Sequence, residues 1–153
     1  MIRLGGSALS AKIIQLVIPM EPNLELVAAE TASTIAELMC FDEDGIDEIR
    51  MAIIEACLNA FEHSHSPERK VYITFHILPD RLILEVTDHG KGFNPSDVRP
   101  PSIDEAVRGG RKRGWGFKLM RSLMDEVMIE TGSWGTTVRM TKMKRRGGGC
   151  YDR

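Results

Sequence analysis

The stretch "IIEACLNAFEHS", residues 53–64, sets Glu55, Asn59 and His63 at intervals of four within an otherwise apolar run. On a helix such residues fall on one face, so the three make a polar stripe. Ile46, Ile49, Ile53, Cys57 and Ala60 make one apolar stripe beside it, and Ile54, Leu58 and Phe61 make another. A helix covered on so much of its circumference must turn the polar row to solvent or to a cavity. On the helix alone a solvated face is the simpler account, because Glu and Asn are frequent surface residues. Further along, "VTDHGKGFNP" puts Asp88 at the end of a β-rich run, with Gly90 and Gly92 just after it. A carboxylate there can accept hydrogen bonds, and the glycines let the backbone turn tightly and a ligand approach. "RGWGF" then sets Gly114 and Gly116 where a helix begins. Free backbone N–H groups at a helix start form a natural phosphate site. Each Gly-x-Gly pair alone is an ordinary turn; their order along the chain is the signal.

Periodicity predicts the elements that must hold these groups. "IIQLVIPM", residues 13–20, is a short apolar run that suits an edge strand. A helical period through Leu24, Val27, Ala28, Ile35 and Leu38 predicts a helix over about 22–40. The acidic "FDEDG" suits the N-terminal dipole of a second helix over about 44–64. "KVYITFHIL" and "RLILEVTD", joined by "PD", predict an antiparallel hairpin over about 70–88. Residues 89–113, with Pro95, Pro100 and Pro101 among glycines, are too long for a bland connection and are expected to be a functional lid, mobile without ligand. "GWGFKLMRSLMDE" resumes a helical period, and "EVMIET" and "TTVRMTKM" around "GSWG" predict a second hairpin. The expected fold class is α+β: a two-layer sandwich of a mostly antiparallel mixed sheet with helices on one face, in one domain over 1–143. The other sheet face is solvated or paired, and residues 144–153, "KRRGGGCYDR", are expected to be a disordered tail.

A chain of 153 residues suits one domain with a real core. Its 20 basic and 22 acidic residues nearly cancel, which argues against direct nucleic-acid or membrane-surface binding. No apolar run approaches the roughly 20 residues of a bilayer span, and "MIRLGGSALSAK" lacks the apolar core of a signal peptide, so a cytoplasmic location is expected. Cys40, Cys57 and Cys150 have no metal-ligand spacing and are expected to be reduced thiols. His63 and His65 have no partners at a zinc-site spacing.

Glu-x-x-x-Asn on a helix, Asp-x-Gly-x-Gly, Gly-x-Gly-Phe opening a helix and Gly-Thr-Thr in a late strand together resemble the ATP-binding superfamily of gyrase, histidine kinases and MutL, whose fold is the Bergerat ATP-binding fold. "EACLNAFEHS", "LEVTDHGKGF", "RGWGFKLMRSLMDEV" and "GTTVRM" are most similar to the small bacterial anti-sigma factor serine kinases, over roughly residues 10–143.

The resemblance implies ATP and Mg2+ as cofactors. It makes Asn59 the magnesium ligand, and a single amide oxygen suits an ion that takes its other ligands from water and phosphates. It makes Glu55 the general base for an attacking hydroxyl. Asp88 becomes the adenine-binding carboxylate, Gly90 and Gly92 shape the adenine end, and Thr136 or Thr137 closes it. Gly114 and Gly116 offer backbone donors to the phosphates, within a motif that also holds Trp115 and Phe117. Of Arg111, Lys112 and Arg113, the last is expected to meet the γ-phosphate. His63 is expected to bond a neighbouring loop, His89 to be incidental, Lys91 to be solvated, and Trp115 to pack on the lid or a partner.

The implied function is an anti-sigma factor that binds a sigma factor, dimerises, and phosphorylates a serine or threonine on an anti-anti-sigma (STAS-type) antagonist. A kinase acting on a different signalling partner and a catalytically silent nucleotide-dependent binding module are the alternatives. A histidine kinase or a gyrase-like machine would need a further domain beyond these 153 residues.

Overall fold

The computed structural model describes residues 11–97, 113–146 and 150. The chain runs β1 (Lys12–Pro19), α1 (Glu25–Leu38), α2 (Glu43–His63), β2 (Lys70–Ile77), β3 (Arg81–Asp88), a single 3-10 turn (Pro95–Asp97), α3 (Arg113–Leu123), β4 (Glu126–Gly132) and β5 (Gly135–Met143). The expected elements are all present, with ends displaced by a few residues. Most of the expected lid, 98–112, and most of the tail lie outside the described residues.

The five strands form one sheet in the order β1-β2-β3-β5-β4. Every neighbouring pair is antiparallel, so the mixed sheet allowed by the sequence becomes a purely antiparallel one among the described residues. Strand alternation assigns the two faces. Val71, Ile73 and Phe75 of β2 and Leu82, Leu84 and Val86 of β3 are buried on the face that receives the helices. Tyr72, Thr74 and His76 lie on the other face, where Glu85 bridges His76 at 3.2 Å and Arg139 at 3.5 Å.

Helix α2 is the central one. Asp42 caps it, its carboxylate accepting the Gly45 N–H at 2.7 Å, as the acidic start of the run predicts. Ile49, Ile53 and Cys57 are fully buried against the sheet, while Ala28, Ala29, Ala32 and Ala36 of α1 are fully buried in the same core. Small residues let helices approach closely, and α2 in turn touches α3. Lys142 of β5 is buried, paired with Glu48 of α2 and donating to the Leu123 carbonyl at 2.6 Å. This single ammonium ties α2, α3 and β5 together at the end of the sheet away from Asp88.

The cysteines correct the sequence-based expectation. Cys57 is free and buried, but Cys40 and Cys150 are paired as a disulfide with Cα atoms 5.2 Å apart. They lie 110 residues apart in the chain, so no spacing rule could join them. Just after β5 the Lys144 N–H donates to the carbonyl of Asp80 in the β2–β3 turn at 2.8 Å, and Arg145 lies 3.9 Å from Asp42 at the start of α2.

Candidate functional site

The polar stripe of α2 faces a cavity at its centre. Asn59 is only 5% exposed, between Ala56 and Ala60, and its side-chain Nδ2 has no hydrogen-bond partner among the described residues. A buried amide left unsatisfied costs about 1–3 kcal/mol, which marks a position kept for something other than stability. Helix α3 explains how it is held. A Cβ built on Gly116 would lie 2.5 Å from Asn59 Nδ2, so only glycine lets α3 approach the amide this closely. Glu55, half-buried, sits one turn before Asn59 on the same face. His63 is one turn beyond, with Nε2 3.7 Å from the Glu62 carboxylate, which burial pushes above its ordinary pKa.

The end of β3 supplies the opposite wall. Asp88 is 6% exposed and pairs in register with Thr136 of β5. The Gly90 N–H donates to Asp88 Oδ1 at 2.9 Å and fixes the carboxylate. The next N–H, of Lys91, donates to the Ser64 carbonyl at 3.2 Å, which ties the turn to the end of α2. Gly92 follows at φ +70°, and a Cβ there would lie 2.2 Å from the Gly132 carbonyl oxygen. The backbone then brings the Phe93 N–H to Thr131 Oγ1 at 3.0 Å, and that hydroxyl meets Thr136 Oγ1 at 3.1 Å.

The pair left open by the sequence is thereby separated. Thr136 is on the cavity face, whereas Thr137 is on the opposite face, its hydroxyl 2.8 Å from that of Thr87. Thr137 is not part of the slot, because adjacent strand residues point to opposite faces.

Between the two walls lies a nearly closed slot of about 10 Å³ lined by Val86, Val138, Phe93 and Phe117, with Asn59, Asp88 and Thr136 as its polar groups. Phe93 and Phe117 stack with centroids 5.8 Å apart. Phe93, Ala56, Val86 and Val138 were missed by sequence reasoning. The residue closing "DHGKGF" was the available signal for Phe93; the two valines required knowing which face of β3 and β5 the helices cover. Trp115 stays 37% exposed beneath the Lys118 ammonium, 5.3 Å from its ring. Arg113 opens α3, its side chain outside the described part, and Gly114 is buried behind it. His89 leaves the slot too: Nδ1 is 2.6 Å from Glu68 and the ring stacks on Tyr72 of the open sheet face.

Apolar walls and a fixed carboxylate match the chemistry of a planar heterocycle that donates from an amino group, but at about 10 Å³ the slot admits one only once its walls move apart. The helix N-terminus and the single amide suit anionic groups and a hard cation at the other end. No cluster of three His, Cys, Asp or Glu residues capable of holding a metal occurs among the described residues. An ion at Asn59 could take only the amide Oδ1 from this side chain, the Nδ2 being a donor suited to a phosphate oxygen.

A family model described as the histidine kinase-like ATPase domain matches residues 20–142. The serine-protein kinase RsbW of Bacillus velezensis is 35% identical over 139 residues, covering 87% of this chain and 86% of that protein. Its counterpart in Bacillus subtilis is 33% identical over 139 residues, again covering 87% and 86%. Among solved structures, the RsbU and RsbW domains of a Mycobacterium tuberculosis protein align with a TM-score of 0.65 at 17% identity, over 87% of this chain and 32% of that one. This last likeness is one of fold.

Proposed function

The chain belongs to the histidine kinase-like ATPase domain family, and from that premise we propose that it is an ATP- and Mg2+-dependent serine/threonine kinase of the anti-sigma type. It binds a sigma factor and phosphorylates a hydroxyl on an anti-anti-sigma (STAS-type) antagonist. The observation that supports this reading is the gathering of buried Asn59, whose Nδ2 donor has no partner among the described residues and suits a phosphate oxygen, with Gly116, Asp88 and Thr136 around one slot.

The chain's own groups divide the work. Asp88, oriented by the Gly90 N–H, accepts from the exocyclic amine of adenine and so favours adenine over guanine. Thr136, tethered to Thr131, places a hydroxyl beside it. The first turn of α3, from Arg113 through Gly116, presents backbone N–H groups and the positive end of the helix dipole to the phosphates. Asn59 would hold Mg2+, which when bound neutralises phosphate charge. Glu55, one turn from Asn59, would take the proton from the attacking serine or threonine hydroxyl, and Arg113 would be the cation for the γ-phosphate.

Homodimerisation uses a different surface. Edge strand β1 and helix α1 frame an open groove of about 610 Å³ lined by Ile14, Leu26, Val27, Ile35 and Leu38. An apolar groove beside a sheet edge suits a second copy of the same chain. No described helix is long and apolar enough to cross a membrane. A cytoplasmic location follows from the partners proposed.

Calorimetric titration of ADP and ATP, with and without Mg2+, tests the reading. The native chain binds with Mg2+, Asn59→Ala loses the Mg2+ dependence, and Glu55→Ala binds but transfers no phosphate to a purified antagonist. Absence of nucleotide binding by the native chain overturns it.

A further inference from the structure

We propose that His89 and Glu68 form a clamp outside the slot that positions the Asp88 carboxylate and so sets which purine the slot accepts. The proposal deepens the adenine reading of Asp88 given above and rests on it. Strand pairing with Thr136 fixes the Asp88 backbone. Its carboxylate is held by the Gly90 N–H, which donates to Oδ1 at 2.9 Å from beyond the end of the strand. Whatever fixes Gly90 therefore fixes the direction in which Oδ1 points.

Both neighbours of Gly90 are gripped by one loop, residues 64–69 between α2 and β2. On one side the Lys91 N–H donates to the Ser64 carbonyl at 3.2 Å. On the other, His89 Nδ1 lies 2.6 Å from Glu68 Oε1. Gly90 itself is pressed against the loop, for a Cβ there would lie 1.9 Å from the Ser64 oxygen. The second Glu68 oxygen accepts the Tyr72 hydroxyl at 2.7 Å, and the His89 ring stacks on Tyr72 with centroids 4.8 Å apart. The Tyr72 hydroxyl first, and then His89, hold the Glu68 carboxyl below its ordinary 4.5, so near neutral pH it is a carboxylate that only accepts, and Nδ1 carries the proton between them. An isolated exposed pair contributes little, because two side chains must be ordered for one contact. Here three side chains order one another in a closed triangle.

The gripping loop is itself anchored. His65 at φ +50° and Arg69 at φ +52° occupy the left-handed region, which residues other than glycine hold only where their surroundings over-determine them. The Ser66 N–H donates to Ser64 Oγ at 3.2 Å and the Arg69 N–H to the Ser66 carbonyl at 3.2 Å, with both serines buried. The Arg69 guanidinium then reaches the Met20 carbonyl at 3.2 Å and the Phe61 carbonyl at 3.5 Å, while the Met20 N–H donates to the Arg69 carbonyl at 2.7 Å. The clamp is thus tied to the end of β1 and to the last turns of α2, the helix that carries Asn59.

The consequence is for specificity. Adenine offers an amine where hypoxanthine offers a carbonyl oxygen, so a carboxylate held in one direction accepts from the first and repels the second. A carboxylate free to turn makes the favourable contact less often and avoids the unfavourable one, which narrows the difference. Neither His89 nor Glu68 lines the slot, so both act through Gly90 and are positioning residues.

The test compares the full native chain with Glu68→Ala, His89→Leu and His89→Asn, the last of which keeps an amide N–H close to the position of Nδ1. Calorimetric titrations with ADP and with inosine diphosphate, both with Mg2+, are set beside amide hydrogen exchange of Gly90 and Lys91 in the nucleotide-free chains. The native chain is expected to prefer ADP. Glu68→Ala and His89→Leu should each weaken ADP binding by about three- to tenfold, the loss of one hydrogen bond, while inosine diphosphate affinity stays within about twofold. In both variants the Gly90 and Lys91 amides exchange several-fold faster, and His89→Asn restores the preference and the protection. Unchanged ADP affinity in Glu68→Ala and His89→Leu, or equal losses for the two nucleotides, overturns the clamp. A His89→Asn chain as weak as His89→Leu overturns the role of the Nδ1 contact. If the native chain binds the two nucleotides alike, or neither, the adenine reading of Asp88 fails instead, and the grip on the turn is then decided by exchange: native protection of Gly90 and Lys91 in both loss variants overturns it as well.

Discussion

Gly116→Ala places a methyl group 2.5 Å from Asn59 Nδ2, 3.1 Å from Oδ1 and 3.2 Å from Cγ. Ordinary carbon contacts lie near 3.5–4.0 Å, so α3 or the amide must move by about 1 Å. The amide has little room to yield, since Ala56 and Ala60 on its own helix are buried beside it. Overpacking of this kind costs about 1–3 kcal/mol, and replacing glycine by alanine in a helix returns at most about 1 kcal/mol. The net loss of stability is therefore small, about 0–2 kcal/mol in urea denaturation. The effect on the site is larger, because a displacement of about 1 Å in a binding constellation can cost on the order of 100-fold. Calorimetry with ADP and Mg2+ should show at least about a tenfold loss of affinity in a protein that is still folded by circular dichroism. Native affinity in Gly116→Ala would refute the reasoning, since it would mean that the approach of α3 to Asn59 does not shape the site.

Thr136→Val should weaken ADP binding by roughly 5- to 30-fold through one lost hydrogen-bonding group, while Thr137→Val leaves ADP affinity alone and lowers stability by about 1 kcal/mol through the lost contact with Thr87; equal effects on binding would contradict the face assignment. Glu48→Ala strands the buried Lys142 ammonium on the Leu123 carbonyl alone. Breaking a buried pair costs about 3–5 kcal/mol; with Glu48 29% exposed, about 2–3 kcal/mol is expected, and an unchanged urea midpoint would show the pair to be dispensable. Glu68 is held below its ordinary value of 4.5, first by the Tyr72 hydroxyl and then by His89. A depressed folded value stabilises above the unfolded value and is lost as pH falls through the folded one. Tyr72→Phe should therefore raise the Glu68 midpoint toward 4.5 in an NMR titration, and its stability deficit against the native chain should shrink below that pH; an unmoved midpoint removes the hydroxyl as the cause.

Much of the architecture was legible because it is written in period. The alternation of "KVYITFHI" and "RLILEVTD" and the three-to-four spacing of Ile46, Ile49, Ile53 and Cys57 follow from burying one face of each element, and burial is a local demand on residue type. The acidic cap at Asp42 was equally visible. The ordered motifs bring Asn59, Asp88 and Gly116 to one slot, and Gly90, Gly92 and Gly116 each stand where an added Cβ would meet a neighbouring group.

What remained depended on which segments meet. Thr136 and Thr137 are chemically identical neighbours, and only the pairing of β5 with β3 decides which hydroxyl joins Asp88. Phe93 enters the slot because Thr131, on a strand nearly forty residues later, receives its N–H. Cys40 and Cys150 are joined although they lie 110 residues apart in the chain. The sequence by itself determined the elements, their order and the residue types available for chemistry, since these are set by interactions within a few residues. The tertiary structure alone decided strand order, which face each side chain occupies and which distant groups touch, because those depend on contacts whose partners the local sequence does not name.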